Sequence, residues 1–597
     1  MRTNKNIFFI IFAAIAVSAG LMVSCKKLGD TKPYDRFEEV AVWASKSNAM
    51  GFVYGTYADV VQGLYTNQIG TESWTNNIVA TAGTAFTRDQ ITRDDDYGFN
   101  QFSRIRRCNL IIERSAASAT MSDADKAEIA AHGKFLRAMT YYWLARRFGR
   151  VIYIDKVLTE DEESYAFPQT PDIAATYTLI MKDIDDAIAA LPAAKTPGIA
   201  SKWTAFALKS EVALQAAAYT GDNAYYTMAL AAADSVIEKG GFTIEPDYEG
   251  MFNERKRFST EIILAVYRDK SNTNVDGTDM QQIIPNTNND NVIARGATPL
   301  FKVDKMFECW AQYSPTQNMM DAYLAIDAAD PTKAVRWDQS SQYVANISKR
   351  SSGYVDSAVV TGVGSVNSTI YNNRDKRLAA CIAYDSVQWY GETVTTNRNG
   401  NLHRLINGSL STGCCMPVTN SFIRKGTYAV SPRPFVGVPT DYHYVVFRLG
   451  RVYLNKAEAL LRLNRVPEAV TALNVTRVAH GGLPVSTASN AATAWTDYKR
   501  ERRVDLFEEQ DYYWSLLRWG KYGGDANSGI APGGTIPELE TPPTFMEINR
   551  DRKGYRVEAL VWTQNEVRIF DETRRYLLPI QNSQIVRHGN LQQNPNW

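Results

Sequence analysis

The sequence predicts a mostly α-helical protein, in which stacked helix pairs form a scaffold and a long loop-rich insertion interrupts them. Two observations support this fold class. Apolar residues recur at helical spacing in three pairs of segments, and glycine or proline ends most of these segments. Between the second and third pairs, residues 245–440 are rich in asparagine, glycine and serine, which is typical of loops.

Residues 1–24 are predicted to be a lipoprotein signal peptide. Arg2 and Lys5 precede an apolar run at 7–17, which is shorter than the roughly 20 residues that a membrane-spanning helix needs. The end of the leader, Leu-Met-Val-Ser before Cys25, resembles a bacterial lipobox, which implies a lipidated cysteine at the mature N-terminus. Residues 25–40 would then be a lipidated tether. An ordinary secretory signal with an incidental cysteine is the alternative.

Three helix pairs follow, two in the N-terminal region (41–244) and one in the C-terminal region (441–597). Gly149 and Pro192 end the two helices of the first pair, and a Gly-Asp-Asn turn at 221–223 separates those of the second. Such units of about 34 residues, with small residues where helices meet, resemble tetratricopeptide repeats, so we expect a tetratricopeptide-like helical-repeat scaffold. The predicted helices are 123–149, 173–191, 203–219, 225–238, 445–463 and 468–479.

Composition and motifs exclude several classes of protein. A net charge of +1 argues against nucleic-acid binding. Beyond Cys25, five widely spaced cysteines remain, which do not form a disulfide framework, and the state of the adjacent Cys414 and Cys415 stays open. The five histidines lack zinc-site spacing, and neither a nucleophile elbow nor a P-loop is present. The sequence therefore predicts a protein that is not an enzyme.

Four stretches resemble the SusD/RagB family of surface glycan-binding lipoproteins, namely residues 134–149, 448–460, 500–520 and 577–595. The resemblance covers nearly the whole mature chain, and it departs from the family at Gln510, where glycine is usual. It implies a SusD-like fold, anchored by lipid at the cell outer membrane and exposed at the surface. It also implies a SusC-like TonB-dependent transporter as partner, which imports the oligosaccharide that this protein captures.

Aromatic residues in polar segments are the expected signature of sugar binding, because flat rings pack against the C–H faces of sugars. One candidate group lies in the polar segment at 70–77, and the others lie in the loop-rich insertion, which we expect to bind ligand. For each tryptophan, the alternative interpretation is that it packs in the core and does not contact ligand. The candidate ligand-binding residues are Trp74, Asn76, Asn77, Trp310, Tyr313 and Trp389.

One segment of the insertion resembles the front of a calcium loop. Asn272, Asn274 and Asp276 offer oxygen ligands at alternate positions, and Gly277 would permit the turn. The closing glutamate is missing, because Ile283 occupies its place. A structural Ca²⁺ is therefore the one cofactor hypothesis, and a polar turn without metal is the alternative.

Three other functions stay open at this point. The insertion does not distinguish a glycan from a peptide ligand. Acidic runs such as residues 94–96 leave room for a surface glycoside hydrolase, since paired carboxylates cleave glycosides. A purely structural helical scaffold, without a ligand, is the third.

Overall fold

A computed structural model describes most of the 597-residue chain. The predicted leader, Cys25, Cys414 and Cys415 lie outside the described residues. The described ranges are 39–66, 69–81, 83–286, 309–352, 355–400, 402–406, 409–410, 417–429, 437–522, 533–560 and 567–597.

Long helices build the scaffold at both ends of the chain, and their bounds agree with most of those predicted. Local sequence explains several ends. The side chains of Ser122 and Asp172 accept hydrogen bonds from backbone N–H groups in the first turns of α3 and α4, and Gly149 and Gly221 adopt positive φ after α3 and α5. The long helices are α1 (Lys46–Tyr57), α2 (Phe102–Ala116), α3 (Asp123–Phe148), α4 (Ile173–Ala190), α5 (Lys202–Thr220), α6 (Ala224–Lys239), α7 (Leu449–Arg462), α8 (Val466–Ala479) and α9 (Ala491–Asp505).

The helices pack in chain order, α2 on α3, α3 on α4, α4 on α5 and α5 on α6. Helix α7 then packs against α5 and α6, although about 200 residues separate them along the chain, and it also contacts α8 and α9. A single apolar core runs through this stack. The predicted fold class, mostly α with a tetratricopeptide-like helical-repeat scaffold, is confirmed.

Short helical segments connect these elements. A π-helical segment, Ala58–Gln62, continues α1, and a 3₁₀ segment, Gly70–Trp74, follows it. The other short α-helices are Glu39–Val42, Gly63–Tyr65, Tyr248–Met251, Met280–Ile283, Gln317–Met320, Ser341–Asn346, Val366–Ile370, Lys376–Cys381, Tyr512–Leu517, Pro537–Glu540 and Asn582–Arg587.

Small antiparallel sheets occupy the insertion and join it to the C-terminal region. The largest has the order β15-β16-β7-β6, so it takes two strands from each side of residue 440. The strands are β1 (Ile78–Ala80), β2 (Ile262–Tyr267), β3 (Tyr313–Pro315), β4 (Ala325–Ile326), β5 (Ala334–Val335), β6 (Ile347–Ser352), β7 (Val355–Val360), β8 (Ile382–Ala383), β9 (Gln388–Trp389), β10 (Glu392–Thr393), β11 (Leu405–Ile406), β12 (Ser409–Leu410), β13 (Phe422–Ile423), β14 (His443–Arg448), β15 (Thr544–Ile548) and β16 (Gly554–Ala559).

One predicted helix start is wrong. Residues 445–448 belong to β14, which pairs with β2, and α7 begins only at Leu449. The apolar run at 444–447 suits either a strand or a helix, and hydrogen bonding to β2 decides between them. Strand pairing therefore crosses the predicted division at residue 440 here as well. The division itself stays a prediction.

None of the helices that the structure describes combines the length and the hydrophobicity that crossing a bilayer requires.

Candidate functional site

A cavity of about 520 Å³ opens where the N-terminal helices, the insertion and the segment after α9 meet. This volume lies within the range of small-molecule sites. Its walls combine aromatic and polar side chains from distant parts of the chain, including Trp74, Trp143, Arg147, Gln282, Tyr313 and Gln510.

Trp74 is the best-supported aromatic residue of this cavity. It ends the 3₁₀ segment Gly70–Trp74, and its half-buried ring stacks on Phe86 with centroids 3.8 Å apart and planes 2° apart. The rings of Tyr513 and Trp514 approach it edge-on, at 5.1 and 6.5 Å. These contacts fix the orientation of the indole before any ligand arrives, which lowers the entropic cost of binding.

Strand pairing brings Tyr313 to the same cavity. Strand β1 pairs antiparallel with β3, so that Ala80 lies opposite Tyr313. The side-chain hydroxyl of Thr316 also donates to the backbone carbonyl of Asn76, at 2.5 Å. The structure therefore brings together two predicted ligand-binding residues, Trp74 and Tyr313, that are more than 200 positions apart.

Trp310 lies close to this site and is accessible to solvent. Its residue surface is 39% exposed, and its backbone N–H donates to the carbonyl of Gln281 at 2.7 Å. The next residue, Gln282, lines the cavity. An exposed indole held beside a cavity agrees with the expected geometry of a sugar-binding residue.

The other three candidates, Asn76, Asn77 and Trp389, are buried and do not lie at the protein surface. Asn76 and Asn77 accept hydrogen bonds from the guanidinium of Arg503, at 3.1 and 2.7 Å, so they hold the turn that carries Trp74. Trp389 is 1% exposed, and its ring packs against Phe422. The sequence placed these residues in polar segments, but it did not reveal the neighbours that cover them.

Glu72 lies in the turn that carries Trp74 and is completely buried. One carboxylate oxygen accepts from the side-chain amide of Asn77 at 2.5 Å, and the other has no hydrogen-bond partner among the described residues. Burial raises the pKa of Glu72 to about 7, although the bond from Asn77 and the charge of Arg503 lower it in part. This carboxyl group therefore titrates near neutral pH.

Gln510 explains the departure from the family pattern. Its φ is 54°, in the left-handed region that favours glycine, so the backbone keeps that conformation although a side chain is present. The same residue lines the cavity. The sequence therefore places a glutamine side chain in this wall, where the family usually has none.

The calcium hypothesis gains no support from the described residues, which contain no group of three or more His, Cys, Asp or Glu side chains suited to a metal. Residues 275–277 form a 3₁₀ turn, and the hydroxyl of Thr273 donates to the Asn272 side-chain carbonyl at 2.9 Å. Asn272, Asn274 and Asp276 as calcium ligands stay a prediction.

Sequence reasoning missed part of the cavity. It did not propose Trp143 or Arg147 as ligand-binding residues. Both Trp143 and Arg147 line the cavity, and the guanidinium carbon of Arg147 lies 3.7 Å from the Trp143 ring centroid. The signal was present in the sequence, since two consecutive arginines end a helix whose neighbouring positions are apolar.

A second group of charged residues lies in the protein interior, away from the cavity lining. Arg448 pairs with Asp505 at 2.6 Å and with Glu261 at 3.0 Å, and His480 bridges the same two carboxylates at 2.8 and 3.0 Å. We call this group the buried charge cluster; it comprises Glu261, Arg377, Arg448, His480, Glu501, Asp505 and Glu509. It joins Glu261, immediately before β2, and Arg448 of β14 to His480 at the end of α8 and to Asp505 of α9, so these charges hold the C-terminal helices to the strands.

The fold and the site define a class of helical-repeat protein with an aromatic cavity at one junction of the stack. Two family models match this chain. One, described as the SusD family, matches residues 260–597, and the other, described as "Starch-binding associating with outer membrane", matches residues 35–214. The first covers more than half of the chain, which therefore belongs to the SusD family.

Solved structures support the same fold. A SusD-like protein from Bacteroides fragilis is 24% identical with a TM-score of 0.73, over 95% of this chain and 100% of its own. A SusD-like carbohydrate-binding protein from the same species is 19% identical, with a TM-score of 0.68 over 93% and 100%. Surface glycan-binding protein A from Bacteroides fluxus is 16% identical, with a TM-score of 0.60 over 93% and 100%. No curated protein matches the chain.

Proposed function

We propose that the protein captures an oligosaccharide at the outer membrane and passes it to a SusC-like TonB-dependent transporter. The observation that carries this proposal is the cavity, because β1–β3 pairing places Tyr313 in it together with Trp74, and Trp310 lies beside it. We call these three residues the aromatic platform. Membership of the SusD family and the carbohydrate-binding names of two similar structures support the same proposal.

We propose binding without cleavage. Hydrolysis of a glycoside by the usual mechanisms needs two carboxylates that flank the bond. Among the described residues that line the cavity, Asp279 is the one carboxylate. Each sugar hydroxyl bond contributes only about 0.5–1.5 kcal/mol net, because it replaces a bond to water. Affinity at a single site is then modest, and delivery to the transporter gives the capture its direction.

The anchor and the partner complete the proposal. Cys25 would carry the lipid that keeps the domain at the membrane, where two or more acyl chains hold a soluble domain stably. Mass spectrometry of the mature protein should find a diacylglycerol group on Cys25. Co-purification from solubilised outer membranes should recover a transporter barrel. A mature protein that is unmodified and free in the periplasm would contradict the anchored receptor.

Isothermal titration of the protein without residues 1–24, against a panel of oligosaccharides, tests ligand capture. We expect Trp310→Ala and Tyr313→Ala each to weaken binding about 10-fold, which corresponds to about 1.4 kcal/mol. Trp389→Phe is the matched control, because that residue is buried and the change should leave affinity unaltered.

Three outcomes would contradict the proposal. Silence towards all glycans, together with binding of peptides, would replace the sugar by a peptide. Turnover of a chromogenic glycoside, abolished by Asp279→Asn, would make the protein a hydrolase. Equal affinities for the wild type and both platform variants would move the binding site elsewhere on the molecule.

A further inference from the structure

Two consecutive arginines at the end of α3 are buried beside the cavity. Arg146 and Arg147 are 2% and 7% exposed, and Arg147 lines the cavity. None of the ion pairs among the described residues involves either side chain. A carboxylate does lie near these arginines: burial and the charge of Glu211 raise the pKa of the neighbouring Tyr65 and Tyr142. Glu211 is paired with Arg451 at 3.1 Å, however, and with neither Arg146 nor Arg147.

Aromatic rings surround these guanidinium groups. The guanidinium carbon of Arg147 lies 3.7 Å from the ring centroid of Trp143 and 4.9 Å from that of Trp514. Arg146 lies 4.7 Å from the same Trp514 ring, and its Nε and Nη2 are buried without a hydrogen-bond partner among the described residues. Cation–π contacts orient the two groups, at about 0.5–2 kcal/mol each.

These contacts do not balance the charge. Transfer of an ion into the interior costs several kcal/mol, whereas cations at a helix C-terminus gain about 0.3–1 kcal/mol from the helix dipole. Burial, with the neighbouring charge of Arg146, lowers the pKa of Arg147 well below its usual range. An arginine nevertheless stays protonated in proteins. The site therefore holds positive charge that the described part of the chain does not neutralise.

We propose that the cavity selects a glycan with an anionic substituent, a carboxylate or a sulfate, which binds Arg147 while the sugar ring packs against Trp74. This inference rests on the proposed function and adds a substrate class to it. Trp514 contacts both proposed binding residues, since its ring lies 6.5 Å from the ring of Trp74 and 4.9 Å from the Arg147 guanidinium. The planar guanidinium matches the paired oxygens of such a group.

The other charge in the cavity fixes the direction of binding. Asp279 also lines the wall, but no ion pair joins it to Arg147. An anion near Asp279 would be repelled, so the anionic substituent lies towards the end of α3. Asp279 and Gln282 then accept and donate hydrogen bonds at the sugar hydroxyls.

The first experiment tests the anion site without any glycan. Crystals of the protein soaked in selenate should give anomalous density beside the Arg147 guanidinium. Arg147→Met should remove this density, and Arg465→Met should keep it, because Arg465 is exposed, pairs with Glu468 and does not line the cavity. Absence of selenate at Arg147 in the wild type would overturn the inference, whether or not glycans bind.

The second experiment uses matched oligosaccharide pairs in isothermal titration. The carboxylate arm compares oligogalacturonate with its methyl ester, and the sulfate arm compares a sulfated galactan oligosaccharide with its desulfated form. We expect at least a 10-fold preference for the charged member in one arm, which falls as salt rises. Arg147→Met should abolish the preference, and Arg147→Lys should retain part of it.

The outcomes separate the two proposals. A neutral oligosaccharide that binds as tightly as its charged partner in both arms, unaffected by Arg147→Met, would overturn the anionic class and leave glycan capture intact. Binding of an acidic peptide that depends on Arg147, without binding of any glycan, would overturn the glycan part of both proposals. A charge preference that survives Arg147→Met would place the anion elsewhere and overturn the role of Arg147.

Discussion

Two buried groups of positive charge in this protein differ in how they are neutralised. In the buried charge cluster, Arg448 contacts the carboxylates of Glu261, Asp505 and Glu509 at 2.6–3.0 Å. At the cavity, Arg146 and Arg147 contact aromatic rings, and no carboxylate of the described residues pairs with either. The fold balances its own charge in the first region and leaves a positive charge in the second, next to open volume. The arginines of the two regions thus differ in their partners, since burial is alike in both.

The cluster also shows what internally neutralised charge does. It joins Glu261, immediately before β2, Arg448 of β14 and the helix Lys376–Cys381 to His480 at the end of α8, to α9 and to the turn after α9. A missing partner would remove one of the cations that compensate these buried carboxylates. The cluster is therefore sensitive to mutation, whereas the cavity arginines already lack such partners.

The largest expected effect is on the cluster. Arg448→Met leaves three buried carboxylates without their shared cation, and we expect the free energy of unfolding to fall by about 3–5 kcal/mol. Urea denaturation followed by circular dichroism measures this. Arg465→Met, at an exposed ion pair, is the control and should leave the midpoint nearly unchanged. An equally small effect at Arg448 would mean that the ion pairs of the buried charge cluster do not stabilise the fold.

The next effect is a pH dependence within the cluster. Burial alone would lower the pKa of His480, but Glu261 and Asp505 outweigh it and raise the pKa to about 9. The imidazolium therefore stabilises the fold fully below pH 6.5, and this contribution, about 2–3 kcal/mol, is lost as the pH rises through about 9. We expect the stability difference between wild type and His480→Gln to shrink between pH 6.5 and pH 9.5. A constant difference would mean that His480 is neutral.

Glu72 gives a smaller effect, and burial raises its pKa because it has no cationic partner in the described part of the chain. The side-chain amide of Asn77 contacts this buried carboxyl group, and no cation of the described residues lies within ion-pair distance of it. Its pKa of about 7 means that the folded protein keeps the proton while the unfolded chain loses it above about pH 4.5. Stability therefore falls as the pH rises from 4.5 to 7. Glu72→Gln should gain about 1–3 kcal/mol on the wild type over that interval, measured by urea denaturation at pH 4.5 and 7.5. Parallel pH profiles of the two proteins would contradict the buried neutral acid.

The smallest expected change in stability is at Arg147, and it tests directly how the two groups of arginines differ. Arg147→Met removes a charge that no carboxylate balances, so the free energy of unfolding should stay the same or rise by about 1 kcal/mol, in contrast to Arg448→Met. Thermal and urea unfolding of both variants in the same buffer measure the contrast. A loss of several kcal/mol at Arg147 would mean that its charge is balanced inside the fold.

Local sequence predicted much of the scaffold, because caps and periodicity act over a few residues. The helix from Asp123 ends where Gly149 permits a positive φ. The same reasoning failed at the start of α7, where only pairing with β2 distinguishes a strand from a helix. It also did not reveal that Trp389 is buried, because exposure depends on residues distant in the chain.

The sequence by itself determined the helical-repeat class, the resemblance to the SusD family and the candidates Trp74, Trp310 and Tyr313, since each depends on residue type and local spacing. Only the tertiary structure decided which candidates share a cavity, and that Asn76 and Asn77 are covered by Arg503. It alone placed Arg147 in the same cavity, without an ion pair among the residues that the structure describes. The physical reason is that burial and charge balance are set by neighbours hundreds of positions away, and no local pattern encodes them.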